Sequence, residues 1–155
     1  MSDNTGQSEL EKRNAQIKTM MESKTKWTSI TRSLTYSVKE SDPLKIVDVQ
    51  ADAISYRQQV IEEISIYAVK ISKLMQKLKI KEKERFEFYA TSYQVKTSGT
   101  EKGRLINADL SIMQSFVDEY DQHVNFLRET SKNLDSINYA VKNKIELANI
   151  LGGFK

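Results

Sequence analysis

The side chains best suited to act on a ligand are the cations Lys70, Lys73, Lys77, Lys79, Lys81, Lys83 and Arg85, which run directly into Phe86, Phe88, Tyr89 and Tyr93. Only Glu82 and Glu84 oppose these seven cations within the same span, a local excess of five positive charges where the whole chain carries +3, so the remainder is slightly acidic. Such asymmetry steers a polyanion toward one part of a molecule, and each phosphate neutralised releases counterions and makes binding salt-dependent. The chemistry implied is electrostatic capture of a backbone, with bases stacking on exposed rings at about 1–3 kcal/mol each and with little regard to sequence. The plainer alternative is a solvated helix face, because lysine is a good helix former and a common surface residue.

Bond-making chemistry has no comparable constellation. His123 is the only histidine, and Asp118, Glu119 and Asp121 beside it do not place several ligands on one inward face. A catalytic histidine needs an orienting partner and a pocket. The chain has no cysteine, which excludes disulfides, thiol chemistry and cysteine-ligated metals and fits a reducing compartment. Residues 99–103, Gly-Thr-Glu-Lys-Gly, lack both the Gly-Lys-Ser/Thr ending and the preceding strand of a phosphate loop. A protein that is not an enzyme, with no metal and no cofactor, is therefore expected. The first residues lack the basic region and apolar core of a signal peptide, and no stretch reaches spanning length. The expectation is a cytoplasmic protein without a membrane partner.

These side chains need a helical frame. In 155 residues there are five glycines and one proline, with helix-forming residues abundant, so the fold class expected is all-α. Residues 1–8 read as a flexible arm, and residues 9–155 as a single helical domain that oligomerises and binds nucleic acid. A first helix over roughly residues 9–38 carries Leu10, Ile17, Met20, Met21, Trp27, Ile30, Leu34 and Val38, interrupted by Lys24 and Thr31. Trp27 is expected in the helix packing. Ser41-Asp42-Pro43 punctuates the chain, with Asp42 as N-cap and Pro43 at the first helical position of a second helix. That helix extends toward Tyr93 through Val60, Ile64, Tyr67, Ile71, Leu74 and Leu78, a four-three alternation suited to helix-on-helix packing. Its continuity across residues 79–93 is open, since alternating charge weakens the stripe there.

Residues 94–103 read as a hairpin loop. From Arg104 the longest regular pattern begins: Ile106, Leu110, Met113, Val117, Tyr120, Val124, Leu127, Ser131, Leu134, Asn138, Val141, Ile145 and Ala148. It predicts a third helix of about 45 residues, about 70 Å at 1.5 Å per residue. Two long helices thus form an antiparallel hairpin with coiled-coil-like packing, and the shorter first helix covers only the part nearest Pro43. The uncovered part leaves an apolar seam that needs partners, so a homo-oligomer is expected, with Ile71, Leu74, Leu78, Phe86, Leu110, Met113, Val117 and Tyr120 at subunit contacts. The residues expected to hold nucleic acid are Lys70, Lys73, Lys77, Lys81, Lys83, Arg85, Lys102 and Arg104, with Tyr89 or Tyr93 reaching a base. No zinc finger, basic zipper or helix-turn-helix pattern is present, so a single strand is the simpler ligand.

Lys83-Glu84-Arg85-Phe86-Glu87-Phe88-Tyr89 resembles the motif of the recombination mediators of T-even-type bacteriophages: lysine, any residue, arginine, an apolar residue, an acidic residue and two aromatics. Leu105-Ile106-Asn107-Ala108-Asp109 is similar to a second segment of that family, and Ala140-Val141-Lys142 near the end of the last helix to a third. The likeness covers roughly residues 50–150; the first helix and the loop at 99–103 are departures. The resemblance implies a single-stranded-DNA-binding protein of DNA recombination, repair and replication that assembles into a ring of six or seven. It further implies that the protein helps load a phage recombinase by displacing single-strand-binding protein, in the host cytoplasm, with Lys83 and Arg85 as DNA contacts. Two other classes stand beside it: an oligomeric helical scaffold whose lysines only solubilise, and an adaptor whose open seam takes a heterologous helix.

Overall fold

The computed structural model describes residues 3–40, 42, 45–93 and 95–152, with side chains from Glu11 onward. The described chain is all-α, with three helices that pack on one another: α1 (Asp3–Glu40), α2 (Ile46–Thr91) and α3 (Gly99–Gly152). Each departs from its expected bounds. α1 begins at Asp3 rather than Glu9, so residues 3–8 of the expected arm are helical. α2 begins at Ile46, and the Asp42 carbonyl accepts from the amides of Lys45 and Ile46 at 2.9 and 3.1 Å. Pro43 and Ser41, on which the expected start rested, lie outside the described residues. α2 is continuous through residues 79–91, which settles the question its broken stripe left open.

The largest correction is at α3. Gly99 and Gly103 belong to the helix, not to a loop, and neither has positive φ. A capping box starts the helix: the Ser98 amide donates to Glu101 Oε2 at 2.9 Å, and the Glu101 amide donates to Ser98 Oγ at 3.2 Å. Each side chain satisfies a backbone donor that the first turn of a helix leaves without a partner. The bond from the Ser98 amide, and after it that from the Ser98 side chain, holds the Glu101 carboxyl below its ordinary range.

The chain divides into two compact units, residues 1–62 with 126–155 and residues 63–125. In the first, three helices share a core. Met20, Trp27 and Leu34 recur every seventh residue along α1 and are buried. Around them lie Ile46, Val49, Ala53 and Val60 of α2 and Leu127, Leu134, Ile137 and Val141 of α3. Trp27 is 1% exposed, as its place in the stripe predicts, and meets the Tyr56 ring edge-on at 6.2 Å. Complete burial of an aliphatic side chain contributes about 1.5–3 kcal/mol, so the fully buried Val60, Leu127, Leu134 and Val141 are central to this unit. Lys144 Nζ donates to the carbonyls of Val38 and Lys39 at 2.8 and 3.2 Å, placing a cation on the last turn of α1, where the helix dipole is negative.

The second unit contains only portions of α2 and α3. Its contacts pair rising positions on α2 with falling ones on α3: Glu63 with His123, Tyr67 with Tyr120, and Tyr89 with Asp109. His123 is buried, its Nε2 3.4 Å from Glu63 Oε1 and its ring against Tyr67 at 4.6 Å, which makes it a packing residue of this unit. Burial raises the hydroxyl pKa of Tyr67 and of Tyr120, with the nearby Glu63 and Glu119 carboxylates acting in the same direction. With one helix facing one helix, the stripe is covered incompletely: Ile71, Leu74, Leu78 and Met113 are only half-buried.

Candidate nucleic-acid interface

α2 sorts its cations by face. At about 100° per residue, Lys70, Lys73, Lys77 and Lys81 fall within an arc of about 80° and extend over about 16 Å of helix. All four are exposed. Among the described residues, Lys73, Lys77 and Lys81 pair with no carboxylate. Lys70 lies along two rings, its Nζ 4.7 Å from the Tyr67 centroid and 6.0 Å from that of Tyr120. Its alkyl stem covers apolar surface while the charge remains at the water boundary.

Lys79 and Lys83 occupy the other side of the same helix by the same angular rule. Lys83 is 80% exposed and stands 3.9 Å from Glu87, one turn on, a pair that water screens almost completely. Arg85 is engaged differently. Its Nε lies 3.5 Å from Asp109 Oδ2, and its guanidinium carbon is 6.0 Å from the Phe88 centroid. Of the two positions that the family resemblance marks as DNA contacts, Lys83 lies off the lysine face, while Arg85 stands at its edge, about 40° beyond Lys81, and already has an anionic partner. Lys102, in the first turns of α3, is half-buried, whereas Arg104 is exposed.

The aromatic cluster also divides. Tyr89 is 8% exposed and forms a small core with Ile106 and Leu110, flanked by Leu105. Its hydroxyl donates to Asp109 Oδ2 at 2.9 Å, and this hydrogen bond, ahead of burial and the carboxylate charge, raises its pKa. Phe88 and Tyr93 pack edge-on around it at 5.2 and 5.0 Å. Tyr89 thus belongs to the packing rather than to a stacking surface, because its angular position on α2 faces α3. Phe86 at 58% exposure, with Phe88 and Tyr93 also exposed, supplies the rings open to a base. Phe86, about 60° round the helix from Tyr89, is turned aside because one opposing helix covers only a narrow stripe.

Among the expected subunit contacts, Leu110, Val117 and Tyr120 are buried within the chain itself. They are therefore not available for a partner. Ile71, Leu74, Leu78 and Met113 are half-buried and Phe86 is exposed, while the larger apolar surface of this unit lies on Ile66, Val69, Ile80 and Ile112. Asp109 is the residue whose role its sequence context did not disclose: one carboxylate oxygen serves both Tyr89 and Arg85.

Among the described residues no three His, Asp or Glu side chains gather as metal ligands, and no helix is long and apolar enough to cross a membrane. No protein-family model matches the chain, and neither the curated proteins nor the solved structures yield a match.

Proposed function

We propose that this chain is a non-enzymatic single-stranded-DNA-binding protein that acts as a recombination mediator in the cytoplasm of a phage-infected cell. It holds the strand for a phage recombinase and displaces single-strand-binding protein from it. The single observation that carries the reading is the exposed face of Lys70, Lys73, Lys77 and Lys81, with no carboxylate on the last three and open rings a few residues beyond. Phosphates would bind along the ammonium groups, and bases would stack on Phe88 or Tyr93, a mode that tolerates any sequence. The finer architecture belongs to this proposal: α2 and α3 as a long antiparallel hairpin with coiled-coil-like packing, several copies assembling so that weak basic faces act together. A ring of six or seven and the recombinase contact follow from the resemblance in residues 83–89 and 105–109.

Anisotropy of a labelled oligo-dT, titrated at low and moderate salt beside light scattering, tests the reading. Replacing Lys73, Lys77 and Lys81 together by alanine is expected to weaken binding and to lower the salt slope by about two units, since each single-strand phosphate contact contributes about 0.7. Helical content should not change. Absence of binding at low salt would remove the proposal. It would favour the scaffold or adaptor reading, for which the exposed Ile66, Val69, Ile80 and Ile112 are the specific support.

A further inference from the structure

We infer that an open groove between α1 and α3, in the unit formed by residues 1–62 and 126–155, is a second track for single-stranded nucleic acid. The inference rests on the single-strand-binding reading and extends it to a surface far in sequence from Lys70 to Arg85. From Ser23 to Lys39, α1 carries Lys24, Lys26, Arg32 and Lys39 and not one Asp or Glu. At about 100° per residue, Lys24, Thr28, Thr31, Arg32, Thr35 and Lys39 all fall within an arc of about 100°, so three of the four cations stand in line along one face for about 22 Å. Among the described residues, none of these three cations has a carboxylate partner.

That face forms one wall of a groove of about 440 Å³, and Phe126, Thr130 and Asn133 of α3 form the other. The lining contains Arg32 and Lys39 but no acidic side chain. The floor is apolar despite its threonines. Thr35 Oγ1 donates to the Thr31 carbonyl at 2.8 Å and Thr130 Oγ1 to the Phe126 carbonyl at 3.0 Å, which turns these hydroxyls toward the helix backbone and leaves the methyl groups for the groove. Tyr36, 67% exposed, stands at the rim, and Lys24 Nζ lies 5.8 Å from the Phe126 ring.

The ligand that uses all of this is a repeating anion with flat apolar groups between its charges. Inorganic phosphate would leave the methyl and ring surface unused, and a polyglutamate-like peptide has carboxylates but no ring for Tyr36. A single strand of nucleic acid supplies both, with phosphates on the cations and bases on the rings.

Trp27 lines the groove and is the chain's only tryptophan, so its emission reports on the core that forms the floor of this site. The full chain is titrated with unlabelled oligo-dT while Trp27 fluorescence is followed, in parallel with anisotropy of a labelled oligo-dT. Oligo-dT is expected to change the Trp27 emission, and R32A/K39A to weaken binding several-fold and lower the salt slope by about 1.4 units. The charge-conserving R32K/K39R should restore both, which separates lost charge from lost fold. Wild-type binding with unmoved Trp27 emission, and an unchanged R32A/K39A affinity and slope, would overturn the second track while leaving the Lys73, Lys77 and Lys81 surface intact. Emission that responds to poly-glutamate but not to oligo-dT overturns it in favour of an acidic protein partner. No oligo-dT binding by the wild type at low salt overturns the single-strand reading and this inference with it.

Discussion

The Tyr89 hydroxyl donates to Asp109 Oδ2 across 2.9 Å, joining the last turns of α2 to the early turns of α3. The same oxygen lies 3.5 Å from Arg85 Nε, so one carboxylate both anchors a buried phenol and offsets a guanidinium that would otherwise face solvent uncompensated. The two segments that carry the family resemblance, residues 83–89 and 105–109, meet through this carboxylate. Asp109 is therefore a competitor for any phosphate that approaches Arg85.

Asp109→Asn tests that competition. The amide keeps an acceptor for Tyr89 but removes the charge opposite Arg85. Oligo-dT affinity is expected to rise and the salt slope to steepen by up to about 0.7 units, one additional phosphate contact. Tyr89→Phe is the control: it removes the buried hydrogen bond, lowers the melting temperature and leaves the Arg85–Asp109 pair and the salt slope in place. An Asp109→Asn protein that binds no more tightly would show that Arg85 does not contact the strand.

The start of α3 gives a prediction in pH. Bonds from the Ser98 amide and hydroxyl hold Glu101 below the usual carboxylate range, so its folded pKa lies under its unfolded value of about 4.3. For an acid shifted down, the unfolded state binds more protons across that window. The stabilisation is complete above the unfolded pKa and is lost as pH falls through the folded one. Thermal melts between pH 6 and about 3 should decline less steeply in Glu101→Gln than in the wild type. At neutral pH, Ser98→Ala should cost about 1 kcal/mol, the usual value of a lost N-cap. Identical acid limbs in wild type and Glu101→Gln would remove the charge of the Glu101 carboxylate as a source of stability.

The same cap explains why part of the fold was not legible from sequence. Two glycines in residues 99–103 read as a loop, but Gly99 is tolerated in a first turn whose orphan amides are satisfied, Gly103 costs about 1 kcal/mol one turn on, and Ser98-x-x-Glu101 is the signal that outweighs them. The stripe of α3 was legible because it is long: every member from Ile106 to Ala148 is buried or half-buried. Thr130 and Ile137, off that stripe, are buried because α1 adds a third helix beside them, which the α3 pattern alone does not register. The lysine face of α2 followed from angular spacing. The division of its aromatics did not, since it depends on how narrow a strip the opposing helix covers. The cationic face of α1 forms no local cluster in the sequence because its charges are spread along four turns; its signal is the absence of any acidic residue from Ser23 to Lys39.

The last prediction concerns the apolar residues that the chain leaves uncovered. Ile66, Val69 and Ile80 are all more than half exposed and lie on one side of α2, away from the stripe that faces α3. Lys73 falls between them, so a copy docked there covers part of the lysine face and competes with the strand. Scattered apolar side chains are ordinary on a surface, but three in helical register form a row that a second helix can cover. If copies of the chain meet there, dilution must release them, because assembly stabilises the folded state by mass action. The wild type should then scatter light as a particle several times heavier than the 17.9 kDa chain, and its melting temperature should rise with protein concentration. Ile66→Ser combined with Ile80→Ser should return the mass to that of one chain and flatten the concentration dependence. Both side chains are exposed within the chain, so helical content should persist. An unchanged mass in the double variant would move the subunit contact to another face, with the half-buried Ile71, Leu74 and Leu78 as the next row to replace.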